Sequence, residues 1–282
     1  MNEVSHKPES CDYKLEILAE PESRYLRPLY QRQEKILMWL ALFGHSNYEM
    51  LCHVAGYSTK KDNNKAMRTH LNAGIIEKQK VGRTKTSPSI YTLTPVGWRQ
   101  ASDLQEFTNP AKRSPSSKVY LWHDLNVQHD LLSRPLSLAI SQIDSARSFR
   151  FKHRANLPGE TIAKIPDYII NKDGQSQAVE IEITRKKIRE IYAGLLGHMQ
   201  QIRNKNLYTS ARYIFARQVI LDHYERLARR QTWPIFKYDS QSRTWVKSDQ
   251  AWVRYKTGAE DPIDKYISMG LIAPGYFQKG IH

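Results

Sequence analysis

Apolar residues recur along this chain with two periods, and the switches between the periods outline its elements. From Gln31 to Phe43 the residues Ile36, Leu37, Leu40 and Phe43 follow helical spacing, and Gly44 marks a stop. A second short helix is predicted from Asn47, a residue type that caps helix starts, to Ala55, with Gly56 ending it. Ser58 or Thr59 caps a third, running to about Asn72; its apolar positions are Met67 and Leu71, and Lys60, Lys61, Asn64, Lys65 and Arg68 fall mostly elsewhere. Gly74, Ile75 and Ile76, then Lys78, Lys80, Arg83 and Lys85, then Ile90, Tyr91, Thr92 and Leu93 read as two strands joined by a basic loop. Residues 1–24 are polar, contain Pro8 and Pro21 and keep no period, so they read as a flexible leader.

The stretch 108–118, TNPAKRSPSSK, interrupts both periods and reads as a linker between a domain over 25–107 and a second over 119–245, with a basic and aromatic tail at 246–282. A helix is predicted from Trp122 to about Ile143, kinked or divided by Pro135, with His123, Asn126 and Asp130 on one face. Phe149 to Arg154 reads as a strand. Ile165–Ile170 and Ala178–Ile183 read as paired strands split by the turn residues Asn171 to Gly174. Thr184 to about Asn206 carries Ile188, Ile191, Tyr192, Leu195, Leu196, Met199 and Ile202 on one stripe, a helix capped near Thr184. A strand at Tyr208–Ala216 and a helix at His223–Gln231 follow. This order predicts an α+β or α/β protein with a mixed sheet flanked by helices. Trp245, Trp252 and Tyr255, beyond Trp233, stand among cations in a terminal hairpin and tail; they suit stacking on single-stranded bases or cross-strand packing equally.

Composition narrows the partners. Lys and Arg outnumber Asp and Glu by 43 to 28, a net charge of +15, which favours a polyanion and most often nucleic acid. The excess lies in both predicted domains: residues 1–24 hold 3 basic and 6 acidic side chains, 25–110 hold 12 and 6, and the rest 28 and 16. An anionic membrane surface is the alternative, but no basic amphipathic stretch with a broad apolar face stands out. The 2 cysteines, Cys11 and Cys52, share no metal or disulfide spacing. With no signal peptide or membrane-spanning run, the expectation is a soluble cytoplasmic protein without membrane insertion.

Candidate chemistry sits in the Ile165–Lys187 stretch. Asp167 opens the first strand after Pro166, and Glu180 and Glu182, two apart, point to one face of the second. Like charges this close need cations or a divalent metal with oxygen ligands. The bland alternative is a neutralised structural cluster with Arg185, Lys186 and Lys187 as partners.

Two resemblances attach to these motifs. The phrase LNAGIIEKQKVGRTKTSPSIYTLTPVGWRQA, with Tyr91, Leu93, Thr94 and Gly97, resembles the wing region of winged helix-turn-helix regulators. That likeness implies base contacts from the third helix, with Lys60, Lys61, Asn64, Lys65 and Arg68 on the DNA-facing set, and phosphate contacts from Arg83 and Lys85 in the wing. A winged helix used for protein contacts is the alternative. Pro166, Asp167 and Glu180 resemble the motif of restriction-endonuclease-like nucleases, Pro-Asp then Asp or Glu, any residue, Lys, except that Glu182 stands at the lysine position. The variant Glu180, Glu182, Thr184, Lys186, with an upstream helix opening on His123, resembles the replication-relaxation family and the MobC-type relaxases of mobilisable plasmids, which also place a winged helix first. The likeness covers about residues 30–217. It implies a plasmid mobilisation relaxase that binds the transfer origin and nicks one strand. Asp167, Glu180 and Glu182 would hold Mg²⁺ or Mn²⁺, Lys186 would replace the motif lysine, and His123 would join the catalytic set, although a lone histidine on a helix face also suits a structural role. A coupling ATPase and other mobilisation proteins are the implied partners. A DNA-binding regulator or replication accessory protein with an inactive nuclease-like domain is the alternative.

Overall fold

The computed structural model describes residues 17–18, 28–56, 60–81, 89–104, 118–134, 138–146, 148–150, 164–239, 241, 244–253 and 263–272. Its elements are β1 (Ile17–Leu18), α1 (Pro28–Phe43), α2 (Tyr48–Ala55), α3 (Lys60–Asn72), β2 (Ile76–Lys80), β3 (Ser89–Leu93), α4 (Pro95–Leu104) and α5 (Lys118–Leu132). Then come β4 (Leu138–Ala139), a 3₁₀ turn (Ile140–Gln142), β5 (Ile143–Ser145), β6 (Tyr168–Lys172), β7 (Gln175–Glu182), α6 (Ile188–Arg203), β8 (Ser210–Phe215), α7 (Gln218–Ala228), β9 (Thr232–Asp239), β10 (Thr244–Val253), α8 (Ile263–Tyr266) and β11 (Ile267–Leu271). The architecture is α+β around a mixed five-stranded sheet of order β11-β8-β7-β6-β5.

The second helix forms where its caps predict, while Ser58 and Thr59, expected to cap the third, lie outside the described residues. Asn47 accepts the backbone N–H of Met50 at 2.9 Å, and Gly56 closes α2 in the left-handed region at φ 68°. Each residue of the Tyr91, Leu93, Thr94, Gly97 signature has a physical task. Tyr91 exchanges both backbone hydrogen bonds with Ser46, at 2.8 and 3.1 Å. Leu93 is buried, and the Thr94 hydroxyl caps α4 by accepting the Gly97 N–H at 3.1 Å. A Cβ on Gly97 would lie 2.2 Å from the Ile75 carbonyl oxygen, so α4 comes this close to the chain entering β2 only with glycine there.

In the main sheet β5, β6 and β7 are antiparallel neighbours, while β7 pairs parallel with β8 across the α6 crossover, and β8 pairs parallel with β11. Strand alternation then splits the core in two. Tyr168, Ile170, Val179, Ile181 and Ile214 join the cluster that includes α1, α2 and α5. Ile169, Ala178, Ala211, Tyr213 and Phe215 join the cluster with α6, α7 and Trp233. A buried hydrogen-bond chain ties the N-terminal helices to α5: Trp39 Nε1 donates to Gln128 Oε1 at 2.9 Å, and Gln128 Nε2 donates to the His45 carbonyl at 2.8 Å.

Four expectations change. The helix predicted to Ile143 ends at Leu132, and the stretch beyond Pro135 forms β4, the 3₁₀ turn and β5. Proline removes a backbone donor and pushes the residue before it out of the helical region. Residues 149 and 150, expected to open a strand running to Arg154, are helical, and 151–154 lie outside the described residues. The helix expected to be capped near Thr184 begins at Ile188, where Lys187 N–H donates to Glu190 Oε2 at 3.1 Å. Trp252 stands opposite Trp233 in the β9–β10 hairpin, with ring centroids 4.8 Å apart, so the cross-strand reading holds for this pair. The β11 strand lies in the segment read as a tail. No helix among the described residues is long and apolar enough to cross a membrane.

Gln128→Leu strands two buried partners, the Trp39 indole N–H and the His45 backbone carbonyl. The expected loss is about 2–4 kcal/mol, read as a fall in the urea midpoint at unchanged m-value. An unchanged midpoint would show that the chain does not bind the helices together.

Candidate functional site

The carboxylates occupy the centre of the sheet because the β6–β7 hairpin puts them there. Its two-residue turn, Asp173 at φ 51° and Gly174 at φ 73°, matches the positive angles of a type I′ hairpin. That turn fixes the register Lys172↔Gln175 through Tyr168↔Val179. Asp167 continues the ladder by donating its N–H to Val179 at 3.0 Å, and its Oδ2 accepts the Ile181 N–H at 2.7 Å. Glu180 and Glu182 stand beside Tyr213 and Phe215 of β8, on the α6 side, and are 2% and 3% exposed.

Each carboxylate has a cation from elsewhere in the chain. Lys164 Nζ lies 2.6 Å from Glu180 Oε2, and His198 of α6, fully buried, lies 3.3 Å from Glu180 Oε1. Lys186 Nζ lies 2.6 Å from Glu182 Oε1. His123 Nε2 on α5 lies 3.3 Å from Asp167 Oδ2, and its Nδ1 lies 3.6 Å from Asp124, which lies 3.5 Å from His45. Burial opposes a charged His123, but Asp167 and Asp124 outweigh it and push its pKa up to about 11. Burial raises the Asp167 carboxyl, yet His123 and Lys164 hold it below the ordinary value. For Lys164 the carboxylates win over burial and raise it; for Glu182 burial, helped by Glu180, wins over Lys186 and raises it.

A cavity of about 310 Å³ opens beside this cluster, lined by Lys164, Glu182, Lys186, Glu190, Tyr213 and Tyr224. The Tyr213 hydroxyl is buried without a hydrogen-bond partner, and the Tyr224 hydroxyl faces Glu182. Burial and the neighbouring glutamates push both tyrosines up, which disfavours phenolate. Tyr192 is buried in the α6 core.

All three side chains offer the hard oxygen donors that Mg²⁺ takes, and Glu180 Oε1, which faces the His198 ring at 3.3 Å, is the oxygen not held by a lysine. Lys164 and Lys186 hold the neighbouring oxygens, and among the described residues no group of three or more His, Cys, Asp or Glu side chains is arranged around an ion. Sequence reasoning missed Lys164 and His198. The signals were a lysine in the apolar run before Pro166 and a histidine on the otherwise apolar stripe of α6.

The other expected residues lie apart. On α3, Asn64, Lys65 and Arg68 are exposed, and Asn64 Oδ1 accepts from the Tyr48 hydroxyl at 2.8 Å. Lys60 and Lys61 start the same helix. Arg83 and Lys85 lie outside the described residues.

Fold and site together define an α+β protein with a buried, charge-compensated carboxylate cluster on the middle strand of a mixed sheet. Comparison with models of known families, with characterised proteins and with solved structures finds no match.

Two stability measurements test the site. Removing Lys164 alone leaves a buried carboxylate without its ammonium, so Lys164→Met is expected to cost about 3–5 kcal/mol. Glu180→Gln added to it should recover part of that loss, and additive costs would dissolve the pair. The His123–Asp167 pair adds a pH signature. His123 is raised from 6.5 to about 11, so its contribution is complete below pH 6.5 and fades as pH rises towards 11. Asp167 is lowered from 3.8, so its contribution fades as pH falls through and below that value. The stability gap between wild type and His123→Gln should therefore be widest between about pH 4 and 6.5; a gap independent of pH from 5 to 10 would contradict the pairing.

Proposed function

We propose that the chain is a DNA-nicking endonuclease of the plasmid-mobilisation type, a relaxase that recognises a transfer origin through an N-terminal winged helix and cleaves one strand at the carboxylate cluster. One observation carries the reading: Asp167 and Glu180 project from adjacent strands of a sheet in which an antiparallel hairpin is followed by a parallel strand across a helix, with Lys164 and Lys186 on the same cluster. That order resembles the nuclease-like core implied by the Pro-Asp motif. The succession α1, α2, α3, β2–β3, α4 supports the winged helix, with Lys65 and Arg68 on its exposed face.

Asp167, Glu180 and Glu182 are the residues that would hold Mg²⁺ or Mn²⁺, and the ion supplies Lewis-acid activation of a phosphodiester and of water. The chain does the rest. His123 and the Ile181 N–H fix the Asp167 carboxylate. Lys164 and Lys186 stand on the cavity wall, where their ammonium groups meet the oxygens of a phosphate. The buried sheet floor excludes bulk water.

A second reading has its own support. Every carboxylate already has a cation within 3.3 Å, so the cluster is stable as it stands and suits a DNA-binding regulator whose nuclease-like part is an inactive platform. Supercoiled plasmid bearing the cognate origin separates the two. Wild type with Mn²⁺ should yield nicked circles, and Asp167→Ala and Glu180→Gln should slow this by more than about 100-fold, beyond the cost of losing a residue that only orients a ligand. Sequence-specific binding with no metal-dependent nicking would sink the enzyme and leave the regulator.

A further inference from the structure

A group of cations beside α7 is used by neither the carboxylate cluster nor the ion pairs of that helix. Spacings of three and four put His223, Arg226 and Arg230 on one side of α7 and the turn that ends it. His223 is buried, 6% exposed, and its Nδ1 lies 2.9 Å from an Arg226 guanidinium nitrogen. A guanidinium only donates, so Nδ1 accepts and the ring proton sits on Nε2. The ring is therefore a neutral rest for Arg226. Burial and the charges of Arg185, Arg226 and Arg230 all hold His223 below its ordinary pKa, which agrees with that state. The charge of Arg185, exposed in the connection between β7 and α6, acts on the same ring.

Neighbours in sequence relate the group to the cavity. Arg185 precedes Lys186, and His223 precedes Tyr224, and both Lys186 and Tyr224 line the cavity. Arg226 thus rests on an uncharged imidazole, and two further exposed guanidinium groups, Arg185 and Arg230, the latter beside the Tyr192 hydroxyl, lie within electrostatic reach of the same ring. Among the described residues none of the three forms an ion pair with a carboxylate, whereas the adjacent Arg229 pairs with Glu225 at 3.3 Å. Like charges gathered without a counter-ion repel, and a multivalent oxyanion relieves that repulsion. The planar guanidinium fork matches two phosphate oxygens at once.

We propose that Arg185, Arg226 and Arg230, with His223 orienting Arg226, form a binding site for one backbone phosphodiester of a nucleic-acid strand lying alongside the carboxylate cluster. The proposal rests on the nuclease reading for its setting, since the strand held here is the one presented to Glu182 and Lys186. It concerns binding alone, so the two can fail separately.

The test is a fluorescence-anisotropy titration of the full chain with a twelve-residue oligothymidylate lacking a terminal phosphate, over a series of salt concentrations. Arg226→Gln and Arg229→Gln each remove one positive charge from the same helical end. Arg226→Gln and Arg185→Gln are expected to weaken binding at least about fivefold and to lower the slope of log K against log salt by about 0.7, one phosphate contact on a single strand. Arg229→Gln should stay within about twofold of wild type, as an exposed, already paired charge would. His223→Asn, whose amide oxygen can stand in for Nδ1, should keep more affinity than His223→Leu. Equal losses for Arg226→Gln and Arg229→Gln would reduce the group to diffuse charge and overturn the site. So would an absence of binding at about 50 mM salt, where phosphate contacts count most. Affinity that appears only with a 5′-phosphate on the oligonucleotide, or that inorganic phosphate abolishes at equal concentration, would assign the group to phosphate monoesters and overturn it too. A protein that shows the Arg226-specific loss but never nicks plasmid keeps this site and loses the cleavage reading.

Discussion

A carboxylate at the middle of a sheet sets the terms for the rest of this molecule. Glu180 is 2% exposed on β7, where an unpaired charge would cost several kcal/mol. Its burial therefore demands a cation, and Lys164 supplies one from the segment entering β6. Its other oxygen faces His198, which in turn meets the Tyr208 hydroxyl at 2.6 Å. The pairing binds three otherwise separate pieces of chain, the approach to β6, the strand β7 and the inner face of α6. Glu182, two residues on, repeats the demand and is met by Lys186. That contact also accounts for the late start of α6. Lys186 must turn back onto the strand it has just left, so residues 183–187 stay irregular and the helix begins at Ile188.

The opposite face of the sheet is tied down by a different polar route. Trp39, Gln128 and the His45 carbonyl form a buried chain between α1 and α5, and the His45 ring continues it through Asp124 and His123 to Asp167. Apolar packing alone would let α5 slide against α1, since it discriminates little between neighbouring registers. Directional bonds in a dry interface select one. The N-terminal helices and the acidic hairpin are thus held in a fixed relation by side chains that α5 carries on successive turns, His123 and Asp124 on one and Gln128 on the next.

Elements with strong local signals were legible in the sequence. Asn47, Gly44 and Gly56 bracket the helices they predict, and the Asp173–Gly174 turn fixes the hairpin register. The Tyr91 to Gly97 signature was legible as a pattern, although the reason for its glycine, the Ile75 carbonyl 2.2 Å from where a Cβ would stand, is a tertiary fact. Segments governed by long-range pairing were not legible. Residues 138–145 contain enough Leu and Ile to mimic a helix, and they become strand because β6 offers a ladder to β5. The three carboxylates were found by their breach of the apolar pattern. Lys164 and His198 breach it just as clearly, but a single polar residue in an apolar run gives no partner until the chain is folded.

Charge balance explains how a cluster of acids can sit buried in a protein of net charge +15. Asp167, Glu180 and Glu182 face His123, Lys164 and Lys186, so the group is locally close to neutral although it is built from six titratable side chains. A phosphate chain approaching an uncompensated triple carboxylate would be repelled by it; approaching this one, it meets two ammonium groups on the cavity wall instead. The same lysines that make burial of the glutamates tolerable in the folded protein are thus the groups best placed to turn towards a phosphate. An exchange of partners keeps every charge compensated only if something takes the lysines' place on the carboxylates. On the proposed nuclease reading, a metal and a strand would favour one another's binding, because each would supply the counter-charge that the other displaces.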